Sequence, residues 1–393
     1  MTARAVLLVL LLSLCGAASA APRVGLVTMG PGEEYWARFG HNAILIEDDA
    51  GRAILYNFGY FDFEQPNFLT NFLRGKMLYR LLALRAEADL AQYADAGRGA
   101  IVQWLDLAPE AAERLAADLA ENARPENAEY RYDYFDANCS TRVRDALNAA
   151  SGGLIRAQTE GSSRGLSYRS EALRLAAPEP WLYWGIHLGL GVATDRVLTR
   201  WDEAFVPEHL AAAVRRIKYP DGRPLVLAEE QLLPHRIGLP PAHAPRYRLA
   251  CLLLGTVLAA GALLALRGNQ RARMAACIGL GSFWVISGLI GTGLLLLWAF
   301  TDHDAAWANR NALLFNPLQW LLLAALPALR AGRPLAPWLG RVAWLVFALG
   351  LVALGLYLLA LRDQDTAEWL ALTLPLHFAG ALLLHRRDST GRA

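Results

Sequence analysis

Cys139 and His41 are the residues of this chain whose types and settings point to nucleophilic chemistry. Of the four cysteines, Cys15 falls in a segment that reads as an export signal, and Cys251 and Cys277 fall in long apolar runs. Cys139 is then the only thiol of an exported domain, and an unpaired cysteine outside the cytoplasm is a candidate reactive group. The alternative is an inert, buried thiol. The spacing predicts a helix over residues 138–150, with Asn138 as N-cap and Ser151-Gly152-Gly153 as its stop. Cys139 therefore starts a helix, where backbone N–H groups and the helix dipole favour a thiolate and an oxyanion. Arg142 and Arg144 in the first turns add positive potential, and Arg142 is a candidate for substrate binding.

A cysteine nucleophile needs a base. Five histidines lie in the exported part: His41, His187, His209, His235 and His243. His41 is the best placed, because it enters a predicted strand that would hold it rigidly. His187 sits in an apolar aromatic stretch and reads as structural; His209 reads as a helix-start residue, and His235 and His243 lie in Pro-rich turns. Residues 42–46 and 53–58, with Asp48-Asp49-Ala50-Gly51 between them, form a predicted hairpin. A third group usually orients the histidine ring. An odd-length turn puts Asn57 on the face of His41 and an even-length turn removes it, leaving Asp62 as second choice.

The elements that must position these residues divide the chain in three. Arg4, an apolar run over residues 5–14 and a small-residue stretch ending Ala18-Ser19-Ala20 read as a cleaved secretory signal over residues 1–20. Residues 21–245 read as an α+β extracytoplasmic domain: the hairpin comes first, and helices over 109–123 and 138–150 follow. Pro220-Asp221-Gly222-Arg223-Pro224 and Pro240-Pro241 read as turns leading to the third part. With 38 basic against 36 acidic residues, the net charge of +2 gives no reason to expect a nucleic-acid partner.

Residues 246–393 read as an all-α transmembrane bundle of about five helices, from apolar runs over 249–266, 275–300, 312–329, 342–361 and 369–384. With the large domain outside, the inner loops and tail carry Arg267, Arg271, Arg273, Arg330, Arg333, Arg341, Arg386, Arg387 and Arg392. The outer loops carry Arg310 and Arg362. This positive-inside bias agrees with the export signal. The outer loop over 301–311 is polar, so His303 and Asn311 are candidates for binding a lipid head group, with a solvated loop as the plainer reading. Asp302-His303-Asp304 is too compressed for a persuasive metal site, and no metal or cofactor is expected. Trp181-Leu182-Tyr183-Trp184 reads as interfacial or core.

Arg38-Phe39-Gly40-His41-Asn42-Ala43 resembles the His motif of Lnb-type bacterial proteins. So do Tyr56-Asn57-Phe58-Gly59 with Phe61-Asp62-Phe63, Asn138-Cys139-Ser140-Thr141-Arg142-Val143-Arg144-Asp145, the run from Trp201 to Glu208, and His303 through Asn309, Asn311 and Asn316-Pro317-Leu318. That family resembles circularly permuted papain-like folds of the NlpC and lecithin:retinol acyltransferase type, in which the His strand precedes the Cys helix. The resemblance implies His41 as base, Cys139 as nucleophile and, less directly, Asn57 as the orienting residue. It further implies a membrane-bound acyltransferase of the bacterial inner membrane, with its large domain in the periplasm. The acyl donor would be phospholipid, and the acceptor the N-terminal amine of a lipoprotein. The Ala- and Arg-rich composition departs from the founding members. A cysteine peptidase or amidase acting on cell-wall peptides, a lipid hydrolase and a non-catalytic membrane protein remain the rival readings.

Overall fold

A computed structural model describes residues 21–359 and 364–389, with side chains to residue 385. The signal segment, Cys15, and Arg362 and Arg392 of the loop and tail lie outside the described residues. Contacts divide the chain into two units: residues 21–65, 77–164 and 199–238 form one, and residues 66–76, 165–198 and 239 onward form the other. Hydropathy draws a single boundary near residue 245, whereas the contacts also group two extracytoplasmic stretches with the spans.

The first unit is a seven-stranded antiparallel sheet flanked by helices, in strand order β6-β4-β3-β2-β1-β5-β7. Its strands are β1 (Arg23–Met29), β2 (His41–Glu47), β3 (Ala53–Tyr60), β4 (Leu78–Arg85), β5 (Ala100–Leu105), β6 (Glu129–Arg131) and β7 (Val226–Leu233). The helices used below are α1 (Ala86–Asp95), α2 (Pro109–Asn122), α3 (Cys139–Ala150) and α4 (Pro207–Val214). β1 and β2 are apolar along almost their whole length because they lie mid-sheet, covered on both faces. On one face, Leu26, Ile44, Ile46, Val143, Leu147 and Leu210 form the larger core. On the other, Val27, Met29, Ala43, Leu45 and Leu55 pack with Ala86 of α1.

The predicted hairpin is β2–β3, with Ile44 opposite Tyr56 and Glu47 opposite Ala53. Asp48 caps its turn, accepting from the backbone N–H groups of Ala50 and Arg52 at 3.0 and 2.8 Å. Five residues intervene between the strands, an odd number, so positions 41 and 57 share a face.

Among the described residues, the second unit holds five apolar helical stretches long enough to cross a bilayer: Arg248–Ala265, Gln270–Phe300, Asn311–Ala331, Pro337–Leu358 and Ala367–His385. The third is interrupted at Phe315-Asn316-Pro317. The Leu314 carbonyl at the break accepts from Gln319 Nε2 at 3.0 Å and faces His377 Nε2 at 2.9 Å. A polar backbone group in an apolar surrounding must find a partner, which accounts for a histidine within the last span.

The stretch 165–198 is braced internally by Arg169 and fastened to the rest of this unit by Asn309. Arg169, buried, donates to Asp195 Oδ2 at 2.8 Å and to the carbonyls of His187 and Leu190 at 3.0 and 2.8 Å. Asn309 Nδ2 donates to the carbonyls of Leu188 and Gly189 at 2.8 and 3.0 Å. Arg169→Met removes the partner of the Asp195 carboxylate and of the His187, Leu190 and Gly191 carbonyls at once. The expected cost is about 3–5 kcal/mol, read as a lowered thermal midpoint of the detergent-solubilised protein; an unchanged midpoint would show that Arg169 is not a structural anchor.

Candidate active site

The site is built where the start of α3 meets the start of β2. Asn138 caps α3 reciprocally: its Oδ1 accepts from Thr141 N at 2.9 Å, and Thr141 Oγ1 accepts from Asn138 N at 2.9 Å. Asn138 Nδ2 also donates to the carbonyls of Tyr134 and Phe205, at 2.9 and 3.0 Å. The Ser140 hydroxyl, fully buried, lies 2.8 Å from Asn42 Oδ1 and 2.6 Å from the Ala204 carbonyl. Asn42 Nδ2 in turn donates to Thr28 Oγ1 at 2.8 Å. The residue after the cysteine is thus bonded to the residue after the histidine.

Two glycines permit the approach. Gly40 has φ +78°, and a Cβ there would meet the Met29 carbonyl at 3.0 Å; the turn delivers His41 opposite Met29. Gly59 has φ +94°, and a Cβ there would sit 3.4 Å from that of Cys139.

His41 Nε2 lies 2.9 Å from Asn57 Oδ1, and Asn57 Nδ2 donates to Asp89 Oδ2 at 2.9 Å. An ionised carboxylate only accepts, so Asp89 fixes which way the Asn57 amide points. Its oxygen faces His41, Nε2 carries the proton, and Nδ1 keeps the lone pair. Asp89 is buried on α1 and had no signal in the sequence beyond being one of several acidic residues in a helix. Asp62, the second choice as orienter, instead accepts from the Glu64 backbone N–H at 2.8 Å and shapes a turn.

Behind this relay the Tyr93 ring stacks on His41 at 6.4 Å between centroids, and the Arg98 guanidinium lies 4.6 Å over Tyr93. Arg98 Nε donates to the Gly30 carbonyl at 2.8 Å. Burial pushes the His41 pKa down to about 4, against the raising effect of the Asn57 bond and with a further lowering by Arg98. The imidazole is therefore neutral at physiological pH, as a base must be.

Burial also pushes the Cys139 thiol up from its usual range, although N–H groups of Asn42, Ser140 and Cys139 itself and the charge of Arg98 favour the thiolate. This corrects the expectation of a resting thiolate: desolvation outweighs the helix terminus. The cation acting on Cys139 is Arg98. Arg142 is spent 4.6 Å over the Tyr130 ring, and Arg144 lies 3.9 Å over Trp201 while donating to its carbonyl at 2.9 Å.

The remaining candidates belong to the second unit. Asn311 is fully buried and donates to the Leu188 carbonyl at 3.0 Å, so its amide is a strut of that unit. His303 Nε2 lies 2.8 Å from the Phe72 carbonyl, holding the 66–76 stretch. His187 is buried, with Nε2 3.2 Å from Glu368 Oε2.

A half-buried thiol at a helix start, and a histidine at a strand start held by an amide–carboxylate relay, make up the candidate site on an α+β domain whose chain also carries apolar helices of membrane-spanning length. Residues 17–171 match the Lnb N-terminal periplasmic domain, and residues 244–387 match the Lnb transmembrane domain. The chain belongs to the Lnb family of membrane proteins with a periplasmic domain. No curated protein and no solved structure matches it.

Two measurements check the electrostatics. Alkylation of Cys139 by iodoacetamide should rise with pH through the raised thiol pKa, because the reactive thiolate appears only above it; a plateau near neutral pH would contradict this. Asp89→Asn allows the Asn57 amide to reverse and impose the other tautomer. Any His41-dependent turnover should fall at least about tenfold, short of the ~10⁴ found where the carboxylate touches histidine directly.

Proposed function

We propose that this protein is a membrane-bound thiol acyltransferase. It would move a fatty acyl group from phospholipid to the N-terminal amine of a lipoprotein, at the periplasmic side of the bacterial inner membrane. What supports the reading is a relay that orients His41 through Asn57 and Asp89, and a Ser140–Asn42 bond that ties the residue after Cys139 to the residue after His41, on a chain whose described residues hold five helices long and apolar enough to cross a bilayer. Membership of the Lnb family supports a role in lipoprotein processing.

In this scheme His41 Nδ1 takes the Cys139 proton as Sγ attacks the ester carbonyl. N–H groups at the start of α3 hold the oxyanion. The tetrahedral adduct collapses to a thioester, and the lysophospholipid leaves as an alcohol carrying the proton from His41. The neutral α-amine of the lipoprotein then attacks, His41 accepts its proton, and collapse gives the amide. That proton returns to Sγ, restoring the thiol. A covalent intermediate lets the first product depart before the acceptor docks. The neutral resting pair suits this sequence, since each half-reaction begins with His41 able to accept a proton.

The test is intact mass of the detergent-solubilised protein after mixing with phospholipid. A fatty-acyl increment, released by hydroxylamine and absent from Cys139→Ala, is expected. With a diacylglyceryl-cysteine peptide added, the increment should pass to its amine. Release as free fatty acid would instead identify a lipid hydrolase. No increment at all, together with cleavage of wall peptides, would identify a peptidase.

A further inference from the structure

An unbroken series of aromatic rings runs from the neighbourhood of Cys139 to the surface of the first unit. Gly59, where a Cβ would lie 3.4 Å from that of Cys139, is followed two residues on by Phe61, a member of the series; at its inner end Tyr132 stacks on Tyr79 at 4.2 Å between centroids. Tyr79 lies 5.2 Å from Phe61, and Phe61 lies 5.0 Å from Phe63. Phe63 is 6.4 Å from Trp36, which is 4.6 Å from Tyr35. The outer members are open to solvent: Phe63 is 59% exposed, Trp36 48% and Tyr35 44%. The relay of His41, Asn57 and Asp89 does not use these rings. Exposed aromatic surface of this kind marks a binding face, because covering it removes a hydration penalty.

We propose that this aromatic series is the subsite for one hydrocarbon chain of a bilayer lipid, laid from the surface at Trp36 and Phe63 inward so that its carbonyl reaches Cys139. The proposal rests on the acyl-transfer reading and assigns the part of the substrate that reading leaves unplaced. Two observations choose a hydrocarbon chain over a sugar. First, the rings meet at 78°, 67° and 87° along the outer steps, edge against face, so they form a corrugated wall and no flat platform for stacking a pyranose. A flexible chain of methylenes follows such a wall, gaining contact at every ring. Second, the described residues of the chain carrying the wall hold five helices long and apolar enough to cross a bilayer, so hydrocarbon is a ligand at hand, and Trp and Tyr are the residues that occupy the membrane interface.

The test uses the full chain in detergent and follows alkylation of Cys139 by N-ethylmaleimide and by N-dodecylmaleimide, read from the mass of the Cys139 peptide. Cys251 and Cys277, inside the spans, serve as internal references. In Phe63→Ser and in Trp36→Ser, both at exposed positions that the fold tolerates, the long-to-short rate ratio at Cys139 should fall about five- to tenfold relative to wild type. The N-ethylmaleimide rate and the reference cysteines should not change. An unchanged ratio in both variants overturns the proposal. So does protection of Cys139 by soluble wall glycopeptide, lost in Trp36→Ser, when lysophospholipid gives no protection. If the ratio falls as expected while phospholipid leaves no thioester, the subsite stands and the transfer reading alone is lost.

Discussion

The site depends on one buried contact, between the Ser140 hydroxyl and the Asn42 amide oxygen at 2.8 Å. It joins an element late in the domain to one near its beginning, across 98 positions of sequence. Each residue is the immediate successor of a reacting one, so the contact sets Cys139 and His41 in register without using either side chain. The Asn42 backbone N–H also reaches the thiol. Such a contact is stable only if every partner around it is satisfied, since a half-satisfied buried network costs more than an apolar core. Thr28, Asn138, Thr141 and the Ala204 and Phe205 carbonyls supply those partners.

The same burial that makes the network strong sets the resting chemistry. It lowers the basicity of His41 and raises the pKa of Cys139, so both are neutral at rest. A preformed thiolate–imidazolium pair would need more compensation than the helix start and Arg98 provide. Proton transfer is then coupled to attack on the substrate, and the relay through Asn57 to Asp89 matters because it keeps the accepting nitrogen of His41 free. A neutral thiol also reacts more slowly with adventitious electrophiles than a thiolate does.

The sequence made the outline of this arrangement legible because its signals are local. Asn138 before Cys139, the stop after Ala150, the β2–β3 hairpin and the apolar runs each follow from residue type at short range. The alternative over Asn57 turned on the parity of a single turn, and five intervening residues put it on the face of His41. Asp89, Arg98 and Tyr93 were not legible: they come from α1 and the loop after it, and only the pairing of β1 with β5 and β3 with β4 brings that segment behind His41. Arg142 and Arg144 show the converse limit. Their charges lie near Cys139 in sequence, but flat rings of Tyr130 and Trp201 capture both guanidinium groups.

Polar residues of the membrane-spanning unit call for different logic from those of the exported unit. In an apolar surrounding every amide and carbonyl must be answered, so an asparagine or histidine there is first a partner for backbone. Asn309 and Asn311 answer the last carbonyls of the helix Pro180–Gly189, and Gln319 and His377 answer Leu314 at the break in the third span. Their donor groups are committed before any ligand arrives, whereas Asn311 Oδ1 and Gln319 Oε1 are buried without a hydrogen-bond partner. In the exported unit the surplus runs the other way: Trp36 and Phe63 are apolar and exposed. Recognition of a hydrocarbon needs area and no hydrogen bonds, and that exposed aromatic wall offers what the committed amides of the spans do not.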